Sequence, residues 1–141
     1  MHVCKYGLLT CMDFRLYQEV FSWMQKENIL GNCDFLGVPA GASMCLEDMQ
    51  SPEALSFVRA VENSIKLHNL QVVILLHHSQ CGAYKLAHNF FSPAEEKTKQ
   101  IEDMKNSRKI ILEKFPQLKV RLVFAELMDE HGHKIIFEDI K

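Results

Sequence analysis

The chain has 141 residues, 48% apolar and 24% charged, with a formal net charge of −2. That length suits a single domain, expected to span residues 1–141, and a core that buries roughly two thirds of the unfolded surface. The composition excludes a disordered chain. No dense basic stretch points to nucleic acid, and no apolar run approaches the ~18 residues of a membrane span.

The opening MHVCKYGLLTC has too short an apolar part for a signal peptide and no small-residue cleavage site, so a cytoplasmic location is expected. Val3–Leu9 is mostly apolar, as a strand buried on both faces would be. Leu16–Lys26 has helical spacing, with Leu16, Val20, Phe21 and Met24 on one side. Asp34–Val38 reads as a short second strand. Pro39–Ser43 (PAGAS) is a loop of small residues, suited to a tight turn or to backbone that approaches something closely.

Ser51-Pro52-Glu53 is a helix start, with a capping serine, proline at the first helical position and an acid in the first turn. Leu55, Val58, Val61 and Ile65 give that helix an apolar stripe, and it ends near Asn69. Gln71–Leu76 is almost wholly apolar, which predicts a central strand covered on both faces. Gly82–Asn89 suits a short helix. Ser92-Pro93-Ala94-Glu95-Glu96 starts another, with Ile101, Met104, Ile111 and Phe115 on its buried face and Pro116 at its close. Lys119–Leu127 and Lys134–Ile140 read as strands joined by a turn at Asp129–Gly132. Strands and helices alternate and a hairpin follows. This predicts an α/β fold of three layers, α/β/α, around a mostly parallel sheet with an antiparallel strand at one edge.

Five cysteines, an odd number without framework spacing, argue for reduced thiols or a metal site rather than disulfides. Two apolar runs end in reactive residue types: Cys11, Asp13 and Arg15 after the first, and His78 and Cys81 after the third. Sites in open parallel sheets form beyond the C-terminal strand ends, where the strand order reverses. Two thiolates and an imidazole from Cys11, His78 and Cys81 suit zinc and leave a fourth position open. Asp13 is placed to orient a zinc-bound hydroxide or to become the fourth ligand itself. Arg15 is placed to hold Asp13 through a bidentate pair. His77 should face the other side of its strand and serve packing. His131 and His133 are expected to be solvated, and Cys4, Cys33 and Cys45 to be buried thiols. Tyr84 and His88 are near enough in sequence to shuttle protons, with packing or surface roles favoured. Cys11 and Arg15 are too close for a phosphate-cradling loop, and Asp13 would repel a phosphate.

Cys11-Met12-Asp13-Phe14-Arg15 and His78-Ser79-Gln80-Cys81-Gly82, with Ala40-Gly41 between them, resemble the β-class carbonic anhydrases over roughly Val3 to Tyr84. The resemblance implies a zinc enzyme (a carbonate dehydratase, a lyase) that interconverts carbon dioxide and bicarbonate through zinc-bound hydroxide. Cys11, His78 and Cys81 would be its metal ligands, and the Asp13–Arg15 pair its catalytic residues. It also implies a homodimer or higher homo-oligomer. Where the family has an arginine and a polar residue before Ala-Gly, this chain has Val38 and Pro39. It is also expected to reach its first strand with essentially no N-terminal arm. Two alternatives keep the same metal site: a hydrolase of carbonyl sulfide or carbon disulfide, and a non-catalytic zinc-binding module closed by Asp13.

Overall fold

Five strands form one sheet in the order β2-β1-β3-β4-β5 in the computed structural model, which describes residues 2–141. β1 (Tyr6–Thr10), β2 (Cys33–Gly37), β3 (Val72–His78) and β4 (Lys119–Leu127) run parallel. β5 (Ile135–Ile140) pairs antiparallel with β4 at one edge. The chain runs from β1 outward to β2, then returns across β1 to place β3 on its other side. The strand order therefore reverses between β1 and β3, and a crevice opens beyond their C-terminal ends.

The helices are α1 (Tyr17–Lys26), α2 (Pro52–His68), α3 (Gly82–Ala87) and α4 (Pro93–Lys114), with a 3₁₀ turn at Ala42–Glu47. The sheet's two faces carry separate clusters. Leu8, Ile74 and Leu76 pack with Val20 and Met24 of α1. Leu9, Val73 and Leu75 pack with Phe57 and Val61 of α2 and with Met104 and Ile111 of α4. Successive strand residues point to opposite faces. A strand covered on both faces must therefore be apolar throughout, as Val73–Leu76 is.

Both predicted helix starts are capped as expected. Ser51 Oγ accepts from the Ala54 amide, and Ser92 Oγ from the Glu95 amide. Asn69 closes α2 in the left-handed conformation.

Several expectations are displaced. β1 starts at Tyr6, and Val3 is exposed. Phe21 and Leu55 are exposed, and the buried stripe of α2 is Ala54, Phe57, Val61 and Ser64. Leu55 falls outside that stripe. α4 differs most: its buried residues are Glu96, Gln100, Asp103, Met104, Ser107 and Ile111, while Ile101 is only half-buried. A mainly polar face turned inward must find hydrogen-bond partners there, and much of it finds them around the crevice.

Candidate metal centre

Thr10, the last residue of β1, pairs with Leu76, and β3 runs on from there to His78. Cys11 follows β1 directly, and His78 is the last residue of β3. The chain then turns through Ser79 and Gln80 to Cys81 at the head of α3. Gln80 has φ +56°, a left-handed backbone uncommon outside glycine. That bend brings Cys81 back over the strand ends. Cys11, His78 and Cys81 are all buried, and their ligand atoms lie within 4.8 Å of one another.

Each donor is oriented by neighbours. His78 Nδ1–H donates to the Ser79 carbonyl at 2.7 Å, leaving the Nε2 lone pair turned toward the sulfurs. That Nε2 is buried with no hydrogen-bond partner among the described residues. Cys11 Sγ accepts from the Gly41 amide at 3.3 Å. Gly41 has φ +80°, and a Cβ there would stand 3.1 Å from Met44 Cε and 3.2 Å from Ala83 Cβ. The small-residue loop thus lets backbone approach a sulfur. The neighbouring Cys81 sulfur lowers the Cys11 pKa against burial, with help from His78 and Gly41. The same proximity raises Cys81, so Cys11 is the sulfur that ionises more readily.

Asp13 stands beside this donor set, its Oδ2 3.9 Å from His78 Nε2. Burial pushes the Asp13 carboxyl up, but hydrogen bonds from the Arg15 side chain and amide outweigh it and hold the pKa below its ordinary value. Arg15 reaches further: Nη2 donates to the Gln80 carbonyl at 2.9 Å, and Nη1 donates to Gln80 Oε1 at 3.3 Å and to the Glu130 carbonyl at 3.1 Å. A cleft open to solvent runs up to Cys11 between Met12, Phe14, Ala40 and Ala83.

His77 faces the α4 side, as expected for packing. Its Nε2 accepts from Ser43, whose Oγ is 2.6 Å away, and its Nδ1–H donates to Gln100 Oε1 at 3.1 Å. Burial lowers its pKa to about 4, so it stays neutral. Tyr84 is fully buried with its hydroxyl donating to Asp103, a packing role. His88 stacks on Tyr84 beside a second cavity. His131 and His133 are exposed. Cys4, Cys33 and Cys45 are half-buried rather than buried, and they are free thiols. Gln80, Glu96, Gln100 and the Glu130 carbonyl escaped the sequence reading. The legible signal was in α4, whose inward stripe at three- and four-residue spacing is polar at residues 96, 100, 103 and 107.

Two sulfurs and one imidazole nitrogen, with a buried and unpartnered Nε2, fit a borderline-soft divalent ion such as zinc. Fold and site together define an α/β protein with a Cys–His–Cys metal-type centre at the reversal point of a mostly parallel sheet. A family model described as "Putative carbonic anhydrase" matches residues 1–134. The chain belongs to the β-carbonic anhydrase family, as a divergent member. It is 37% identical over 120 residues to an uncharacterized protein of Rickettsia bellii, covering 80% of this chain and 71% of that one. It is 31% identical over 119 residues to an uncharacterized protein of Rickettsia conorii, covering 80% of this chain and 62% of the relative. Among solved structures it is similar in fold to a tetrameric β-carbonic anhydrase of Sordaria macrospora. The TM-score is 0.65 at 11% identity, over 99% of this chain and 82% of the other. The β-carbonic anhydrase CafA of Aspergillus fumigatus gives a TM-score of 0.63 at 13% identity, over 99% and 76%.

Proposed function

We propose that this chain, acting as one domain, is a zinc-dependent carbonic anhydrase that hydrates carbon dioxide reversibly to bicarbonate. The observation that carries this reading is the convergence of Cys11, His78 and Cys81 within 4.8 Å, with the Asp13–Arg15 pair alongside. Zinc held by those three residues would act as a Lewis acid that makes water a nucleophile near neutral pH. Asp13 offers an anionic acceptor beside the donor set, suited to orienting the water that reacts. Arg15 keeps that carboxylate ionised and turned away from the ligand position. The Gly41 amide offsets charge on Cys11. Met12, Phe14, Ala40 and Ala83 give a small neutral substrate an apolar approach.

That same apolar approach favours a second reading, hydrolysis of carbonyl sulfide or carbon disulfide at the same centre. A homodimer or higher homo-oligomer is proposed on the tetrameric form of the Sordaria macrospora enzyme and on Phe14, 83% exposed at the mouth of the cleft. Five free thiols suit a reducing compartment and support a cytoplasmic location. Among the described residues, no helix is long and apolar enough to cross a membrane.

The test is stopped-flow carbon dioxide hydration at about pH 7 and about pH 8.5, which bracket the titration of a zinc-activated water, together with zinc content. About one zinc per chain and activity that rises with pH are expected. Full zinc without hydration at either pH would transfer the proposal to the sulfur-containing substrates, or to a non-catalytic zinc module if those also fail.

A further inference from the structure

α4 meets the turn between His78 and Cys81 with two buried polar side chains one helical turn apart. Gln100 Nε2 donates to the His78 carbonyl at 2.8 Å, and Glu96 Oε2 accepts from the Gln80 amide at 3.0 Å. The helix thus holds the backbone on both sides of Ser79. Gln80 is the residue under constraint, because its left-handed φ of +56° is disfavoured for a side-chain-bearing residue. In that conformation its amide points to α4 and its carbonyl points to Arg15, 2.9 Å away. Cys81 follows directly. A chain of contacts therefore runs from Glu96 through Gln80 to Arg15 and Asp13, and along the backbone to Cys81.

Helix capping does not account for Glu96. Ser92 caps α4, and an exposed acid, Glu95, already serves the first turn and accepts from the Phe91 amide. Glu96 is 4% exposed, and its Oε1 has no partner among the described residues. Burying a carboxylate is unfavourable unless it makes a contact that an apolar side chain could not. The contact it makes is the Gln80 amide.

We propose that Glu96 is a positioning residue of the metal centre: it fixes Gln80 in its left-handed turn, and through Gln80 it sets both Cys81 and the Arg15–Asp13 pair. The inference rests on reading Cys11, His78 and Cys81 as the ligands.

Two conservative variants separate reach from charge. Glu96→Gln keeps an acceptor oxygen at the same reach, and Glu96→Asp keeps the charge but withdraws it by one methylene. Each metal-free protein is titrated with Co2+ and followed through its visible absorption. Gln80 amide exchange and the Arg15 Nε–H resonance are recorded by NMR before metal is added. Glu96→Gln should match the wild type throughout. Glu96→Asp should lose about tenfold or more in Co2+ affinity, shift the absorption bands, speed Gln80 exchange by a similar factor and move the Arg15 signal. An Asp variant indistinguishable from wild type overturns the proposal, as does one that alters only Gln80 exchange. A Gln variant as impaired as the Asp variant also overturns it, because Gln keeps the acceptor oxygen at the same reach. A wild type that fails to bind Co2+ would remove the metal reading alone. The Gln80 and Arg15 signals of the metal-free variants would still decide whether Glu96 sets the pair.

Discussion

Arg15 grips Asp13 from two residues away with three side-chain hydrogen bonds, at 3.1 and 3.2 Å from Nε and 2.7 Å from Nη2. This pair decides which way the carboxylate turns, because Asp13 Oδ2 is also 3.9 Å from His78 Nε2. Without the guanidinium, Asp13 is free to swing onto the ligand position. Arg15→Ala should keep its zinc and lose about 10- to 100-fold in carbon dioxide hydration, the usual range for a residue that orients a metal centre. Equal activity in the variant and the wild type would remove the pair from the proposed mechanism.

The five thiols should separate chemically. Burial raises Cys33 to about 12 and Cys45 to about 11. Both therefore carry little thiolate near neutral pH and should alkylate slowly. Cys11 lines the open cleft, and the neighbouring Cys81 sulfur lowers its pKa. In the metal-loaded protein it should resist iodoacetamide. After chelation it should label first, as peptide mass spectrometry would record. Cys81→Ala should abolish tight metal binding, and Cys45→Ala should leave it intact. Cys11 labelling at one rate with and without metal would contradict its place among the ligands.

The sequence pattern made the strands and the Cys11–His78–Cys81 cluster legible, because apolar runs ending in Cys or His report both burial and position. Leu8–Cys11 and Ile74–Cys81 needed only the rule that sites form where strand order reverses. The supports were harder to see. Glu96 and Gln100 sit on a helix whose surface carries many charges, so two more polar residues draw no attention until the stripe is traced and found to face inward. The left-handed turn at Gln80 leaves no mark in composition, since glutamine gives no hint of positive φ. The Glu130 carbonyl contributes through backbone alone, which no side-chain pattern can report.

Gly132 tests one of those unseen supports. It is buried with φ +72°, and a Cβ there would stand 2.6 Å from the Arg15 carbonyl oxygen and 2.9 Å from Arg15 Cβ. The hairpin turn therefore lies directly on Arg15 and also supplies the Glu130 carbonyl to it. Gly132→Ala should push the turn away, lowering stability by about 1–3 kcal/mol through overpacking and lowering activity with it. Urea unfolding and hydration rates measure the two effects. A variant that loses stability but keeps full activity would show that Arg15 holds Asp13 without the hairpin.

The other end of the sheet offers a pH test free of the metal. Arg121 Nε and Nη2 donate to Asp139 at 2.6 and 3.0 Å, tying the edge strand β5 to β4. Those hydrogen bonds outweigh partial burial and hold Asp139 below the usual carboxylate range. A folded pKa below the unfolded value means the pair stabilises fully above about pH 4, the ordinary aspartate value. That stabilisation disappears as pH falls through the folded pKa. Asp139 is 64% exposed, which caps the effect at about 1 kcal/mol or less. Asp139→Asn should therefore unfold at slightly lower urea than wild type at pH 7, and the gap should narrow in high salt. It should close as acid protonates the wild-type carboxyl. A gap that persists in acid would mean the substitution acts on the packing of β5, because by then the wild type has lost the charge as well.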